Sequence, residues 1–127
     1  MLDIAALRAR DCSKTITLRG QDVLVRPLSM KAREAVRSII PQPAPKALVP
    51  DGNGGWKPNE DDPAQKAAHS RYIARLAAAD LLVASGHSIG HDLIDKAEQL
   101  LDVLTPGELD QAWDALQTAG TVNALPN

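Results

Sequence analysis

Residues 41–63 constrain this chain more than any other stretch. They hold six of its nine prolines and three of its glycines, as in 41–45 (Pro-Gln-Pro-Ala-Pro) and 51–55 (Asp-Gly-Asn-Gly-Gly). Proline fixes φ and removes a backbone donor, so neither a regular helix nor a central strand can cross such a segment. Its composition also buries too little apolar surface to offset ordering, which predicts a flexible linker or mobile loop when the protein is alone. The chain is thereby divided into an N-terminal piece and a helical remainder. At 127 residues the two suit one domain, and so must share a core. With no Phe, one Tyr and two Trp, that core is built from aliphatics, and stacking platforms for single-stranded nucleic acid are excluded.

Charge is close to balanced, with 14 Lys and Arg against 16 Asp and Glu. No electrostatic footprint for duplex DNA or an acidic membrane results. The distribution is polar: residues 1–40 carry a surplus of basic side chains and 64–127 a surplus of acidic ones. Such polarity either steers a protein partner or staples the two ends together. The single cysteine, Cys12, forbids an intramolecular disulfide and a multi-cysteine metal site. No apolar run has the length of a membrane span and no signal pattern is visible, so a soluble, cytoplasmic protein is expected.

The N-terminal piece opens with a short helix at 3–10 capped by Asp3. Residues 14–26 alternate apolar and polar around Gly20-Gln21, which predicts a β-hairpin with a type II′ turn. That register sets Leu18 opposite Val23 and Ile16 opposite Val25, all on one face, with Thr15, Thr17, Leu24 and Arg26 on the other. Ser29 caps a basic helix over 29–40, whose apolar stripe includes Val36 and Ile40. Beyond the loop, Asp62-Pro63 starts a helix that runs to Ser85, with Gly86 as its stop. It is apolar nearly all round at 81–84 and so is expected at the centre. A helix at 92–104 follows. Thr105-Pro-Gly-Glu108 is a capping box, flanked by Leu104 and Leu109 as a hydrophobic staple, for a last helix to about Ala119 that buries Leu109, Ala112, Trp113 and Leu116. Residues 120–127 form a tail. The fold class is mainly α, a single small helical domain with a short N-terminal β-hairpin and a Pro/Gly-rich mobile loop.

Few residues invite chemistry. His87 and His91 are four apart, but Gly86 and Gly90 place them in a connection rather than on a helix face, so a polar loop is preferred to a metal site. Asp80 stands at the edge of an apolar face. A catalytic carboxylate would need a titratable partner in a pocket; the structural alternatives are a salt bridge to an N-terminal arginine or solvation at the rim, and the former predicts lost stability in Asp80→Ala. Cys12 has no neighbour that would favour a thiolate and reads as a small hydrophobe. There is no nucleophile elbow, phosphate-binding loop or complete calcium loop. The reading is therefore no enzyme, with no catalytic residue, cofactor or metal.

What remains is surface. The hairpin edge offers a template to another strand, which singles out Leu24 and Arg26. Lys31, Arg33 and Arg37 make the basic face of the second helix, which is either a contact surface or simply solvated. Trp56 within the loop is either an anchor for a partner or folded back on the core. These six residues are the candidate partner-binding set, and together they describe a small adaptor or chaperone-like module.

Residues 15–29 (Thr-Ile-Thr-Leu-Arg-Gly-Gln-Asp-Val-Leu-Val-Arg-Pro-Leu-Ser), followed by a basic amphipathic helix, resemble the N-terminus of tail assembly chaperones of long-tailed bacteriophages. The order of hairpin, Arg-Pro-Leu turn, helix, variable segment and helical remainder resembles that family as well. The resemblance implies a non-catalytic protein of the host cytoplasm. Such a protein binds the tape measure protein and recruits tail tube subunits, and is absent from the mature virion. It implies no catalytic residues. A homo-oligomer stays open. The alternatives are a structural virion component, such as a head–tail completion or tail-terminator protein, and a small inhibitor of a host protein.

Overall fold

A computed structural model describes residues 2–9 and 12–119. The elements run α1 (Ile4–Ala9), β1 (Lys14–Leu18), β2 (Gln21–Val25), α2 (Met30–Ile39), β3 (Leu48–Pro50), β4 (Trp56–Pro58), α3 (Pro63–Ala84), α4 (Asp92–Val103) and α5 (Pro106–Ala119). The tail at 120–127, with the expected stop at Gly120, lies outside the described residues, as does Asp11 beside Cys12.

Local chemistry fixes the helix ends. The Ser29 hydroxyl accepts from the Ala32 amide at 3.1 Å and the Asp62 carboxylate from the Ala64 amide at 3.0 Å, each satisfying an amide that the first turn leaves over. At the far end of α3 the His87 amide donates to Leu82 and the Gly86 amide to Val83, with Gly86 at φ 119°. This paired closure needs a left-handed residue, which glycine supplies without a Cβ penalty. Thr105 and Glu108 form the reciprocal box at the start of α5, the amide of each reaching the side chain of the other at 2.9 and 3.2 Å.

Helix α3 is the centre of the packing. Ala78, Ala79, Leu81 and Ala84 are buried along its C-terminal half. On one side Val36 of α2 and Ile40 just past its end, Leu93 and Ala97 from α4, and Leu109 from α5 close over Ala78 and Ala79. On the other side Ile16 and Val25 of the hairpin meet Leu81, Ala84, Ala112 and Leu116. The run of alanines lets the neighbours come close, and α4 is further clasped by Glu98, which pairs with both Arg71 and Arg75 of α3. The Arg26 amide donates to the Ala84 carbonyl at 2.9 Å, which fastens the end of the hairpin to the end of α3.

The first hairpin turns one residue earlier than the sequence pattern predicts. Arg19 and Gly20 occupy the turn at φ 51° and 82°, the two positive values of a type I′ turn rather than a type II′ turn at Gly20-Gln21. Ile16 therefore faces Val23, Leu18 faces Gln21 and Lys14 faces Val25. The shift in register is two residues, which preserves the alternation, so the four apolar residues still share the core face. Arginine is disfavoured at positive φ, and here it is held there. Its Nε and Nη2 donate to the two carboxylate oxygens of Glu108 at 2.7 Å each, and Nη2 also donates to the Val103 carbonyl at 2.6 Å. The hairpin tip is thereby tied to the junction of α4 and α5, 84 to 89 residues away in sequence.

Residues 41–63 contain a second hairpin that the sequence reading passes over as loop. Leu48 pairs with Pro58, Val49 with Lys57 and Pro50 with Trp56. The tip is closed by Asp51, whose Oδ1 accepts from the amides of Asn53 at 2.7 Å and Gly55 at 3.0 Å, holding its carboxyl below the ordinary range. Lys46 pairs with Glu60, the Asn59 amide donates to the Ala47 carbonyl at 2.7 Å, and Gln65 of α3 donates to the Ala44 carbonyl at 2.7 Å. Local polar bonds make this element, whereas the composition argument weighs apolar burial alone.

The Arg19 clamp has a measurable pH signature. The guanidinium, aided by the Thr105 amide, holds the Glu108 carboxyl at about 2, below its ordinary 4.5. A carboxyl depressed on folding stabilises the fold above its unfolded value and loses that contribution as pH falls towards its folded one. The melting temperature of Glu108→Gln is expected to lie below that of the native protein at pH 7. The gap should narrow from about pH 4.5 downwards and close near pH 2. Thermal scans across that range check it.

Candidate partner-binding groove

Along the middle of α3, from Ser70 to Asp80, a groove is left open. The groove has a volume of about 640 Å³. Arg33 and Arg37 of α2 form one wall, while Ile73, Ala77 and Asp80 of α3 contribute to the floor. Leu101 and Leu104 from the end of α4 continue it, and Leu109, Asp110 and Trp113 of α5 form the opposite side. Ile73 and Trp113 are 49% and 38% exposed, which leaves large apolar side chains facing solvent on both sides of the groove. The sequence reading places Trp113 in the core; instead Ala112 and Leu116 fill that role, and Trp113 looks outwards one position round the helix.

Asp80 lies within this groove, buried, and burial pushes its carboxyl up while the fields of Arg33 and Arg37 pull it down, burial being the larger effect. No described residue pairs with it at ion-pair or hydrogen-bond distance. The salt bridge to an N-terminal arginine is therefore not formed, and the carboxylate borders the open groove with little of its residue's surface exposed. The arginines attract it from a distance. On their side the Nε of Arg33 is buried without a hydrogen-bond partner, and neither Arg33 nor Arg37 forms an ion pair among the described residues.

The candidate set is distributed over four places. Arg33 and Arg37 line the groove. Leu24 and Arg26 lie at a second recess of about 540 Å³, between the hairpin, the start of α2 and the end of α3. Trp56 projects from β4, 67% exposed, and is not folded over the helical core. Lys31 is exposed on α2 and lines neither recess. Of the candidate set the structure thus brings only Arg33 and Arg37 to this groove, and Leu24 and Arg26 to the second recess. It adds Ile73, Asp80 and Trp113, of which the sequence pattern flags Asp80 alone, as a charge on an apolar helix. Ile73 stands one position after Tyr72 and so off the helix face on which Tyr72, Leu76, Ala79 and Val83 pack against the core.

Outside the groove, large apolar side chains are also exposed on α1 (Ile4, Leu7) and at Leu2, Met30, Leu48 and Val103. A recess of about 360 Å³ beside the second hairpin is lined by Lys46, Glu60, Asp62, Lys66 and His69, among others. His87 and His91 are exposed, and His91 precedes α4 without a side-chain cap. The Asp92 carboxylate is engaged by Lys96 at 3.1 Å. Among the described residues no group of three or more His, Cys, Asp or Glu side chains converges as a ligand set, and no helix is long and apolar enough to cross a membrane. Comparison with protein-family models, with curated proteins and with solved structures gives no match.

A buried carboxyl whose ionised form is disfavoured on folding contributes stability below its unfolded value and loses it as pH rises through the folded one. At neutral pH the charge on Asp80 is therefore a cost. Asp80→Asn, which keeps the shape and removes the charge, is expected to raise the melting temperature at pH 7 and to show a smaller gain at pH 4. A lower melting temperature at pH 7 would show that the carboxylate has a direct partner.

Proposed function

We propose that this chain is a non-catalytic tail assembly chaperone of a long-tailed bacteriophage, acting in the host cytoplasm. In this role it holds the tape measure protein in solution and recruits tail tube subunits. The observation that carries the reading is the open apolar groove along α3, lined by large side chains and by two arginines that form no ion pair among the described residues. A groove of this kind suits an amphipathic helix laid into it. The likeness of residues 15–29 to the N-terminus of tail assembly chaperones supplies the biological setting.

The mechanism is transient cover. An elongated client that exposes apolar helix faces aggregates unless those faces are occupied. A small protein with an exposed Ile73 and Trp113 removes them from solvent by the hydrophobic effect. Release requires moderate affinity, because association rates vary little and tight complexes dissociate slowly. The groove charges favour that balance. They fix the register of the client and add less affinity than an apolar surface of the same extent.

Co-expression of the tagged chain with the tape measure and tail tube proteins of its own gene cluster tests the proposal. The expected result is a soluble complex with a client that precipitates when made alone. Recovery should fall several-fold for Ile73→Asp, a surface change that leaves the fold intact. Absence of both clients from the purified chain, together with its presence in finished particles, would overturn the reading in favour of a structural virion component.

A further inference from the structure

Arg33 and Arg37 are four residues apart on α2, one turn or about 6 Å along the axis. Both line the groove, and neither is engaged by a carboxylate among the described residues. The Nε of Arg33 is buried and has no acceptor, while Arg37 is exposed. The Asp80 carboxylate in the groove feels the fields of both arginines without pairing with either, one negative charge against two positive ones. The opposite side carries Asp110 beside Trp113. The groove is therefore apolar along its floor apart from Asp80, basic on the α2 side and acidic on the α5 side.

We propose that this groove takes an amphipathic helical segment of a partner protein whose apolar stripe is flanked on one side by carboxylates at helical i, i+4 spacing, gripped by Arg33 and Arg37. Carboxylates one turn apart on the incoming helix repeat at the spacing of the two guanidinium groups. A planar guanidinium binds a carboxylate through paired donors, so each contact fixes orientation as well as adding attraction. Ile73, Ala77 and Trp113 receive the apolar stripe. Asp110 repels the acidic flank from the α5 side, which sets how the helix is rotated in the groove. The inference rests on the groove being the client site of the proposed chaperone and adds the chemistry of the segment it accepts.

The test uses the full chain with Trp56→Phe, which leaves Trp113 as the sole tryptophan reporter. Two synthetic helical peptides of about 15 residues share a leucine stripe; one carries glutamates at i, i+4 on its flank and the other lysines at the same places. The glutamate peptide is expected to shift Trp113 emission saturably, and to bind at least about tenfold more tightly than the lysine peptide at low salt. Arg33→Gln with Arg37→Gln should remove most of that difference. Asp80→Asn, which takes a negative charge out of the groove, should tighten the glutamate peptide. This last variant acts in the opposite direction and stands even if the double variant fails to fold. Equal binding of the two peptides, no saturable binding, or a concentration-dependent dimer that shifts Trp113 emission without peptide would overturn the proposal. Client co-purification that is indifferent to the two arginine changes would refute this partner chemistry and leave the chaperone reading standing. Glutamate-peptide binding without any client complex would refute the chaperone reading alone.

Discussion

The structure depends on the unequal burial of α3. Its C-terminal half presents Ala78, Ala79, Leu81 and Ala84 around the helix, so no single neighbour can cover it. Helices α2, α4 and α5 and the first hairpin must all converge there, and the two apolar clusters are the two sides of that one helix. Its first turns carry Lys66 and Arg71 among small and polar residues and need no such enclosure. The groove lies along its middle, lined also by side chains of α2 and α5. The packed core and the exposed site are consequences of one sequence gradient along 22 residues.

Holding elements from both ends of the chain around α3 takes more than apolar contact, because β1 and β2 form a sheet of only two strands. A two-stranded hairpin is marginal by itself and must be fastened. Here the Arg26 amide fastens its open end to Ala84, and Arg19 fastens its tip to Glu108 and Val103. Glu108 serves twice, completing the cap of α5 while accepting the arginine. The excess of basic residues in the N-terminal part and of acidic residues in the C-terminal part thus finds one structural use in this pair, while Arg33 and Arg37 are left for another.

Most of the helical architecture was legible in the sequence because it is written in local chemistry. Ser29, Asp62-Pro63, Gly86 and Thr105-Pro-Gly-Glu108 mark boundaries through bonds that form within a few residues. The alternation of 14–26 likewise identified the core face of the hairpin. Its register was not legible, since a glycine at position 20 serves either turn, and what holds Arg19 at positive φ is a carboxylate 89 residues away. The second hairpin was missed for a different reason, its stability coming from the side chain of Asp51 folding onto its own turn. The groove was half legible. Arg33 and Arg37 stood out as charges on an amphipathic helix, but their unpaired state, and the outward turn of Trp113, are set by where helices from distant segments stop short of one another.

The central claim is that a client protein occupies the groove beside α3. Site-specific photocrosslinking from a benzophenone amino acid at position 73, in cells making the native clients, tests it most directly. The account predicts a crosslink from position 73 to the tape measure protein, and none from position 31 on the exposed face of α2. A crosslink from position 24 or 56 to the client, with position 73 silent, would contradict it and move the working surface to the hairpins.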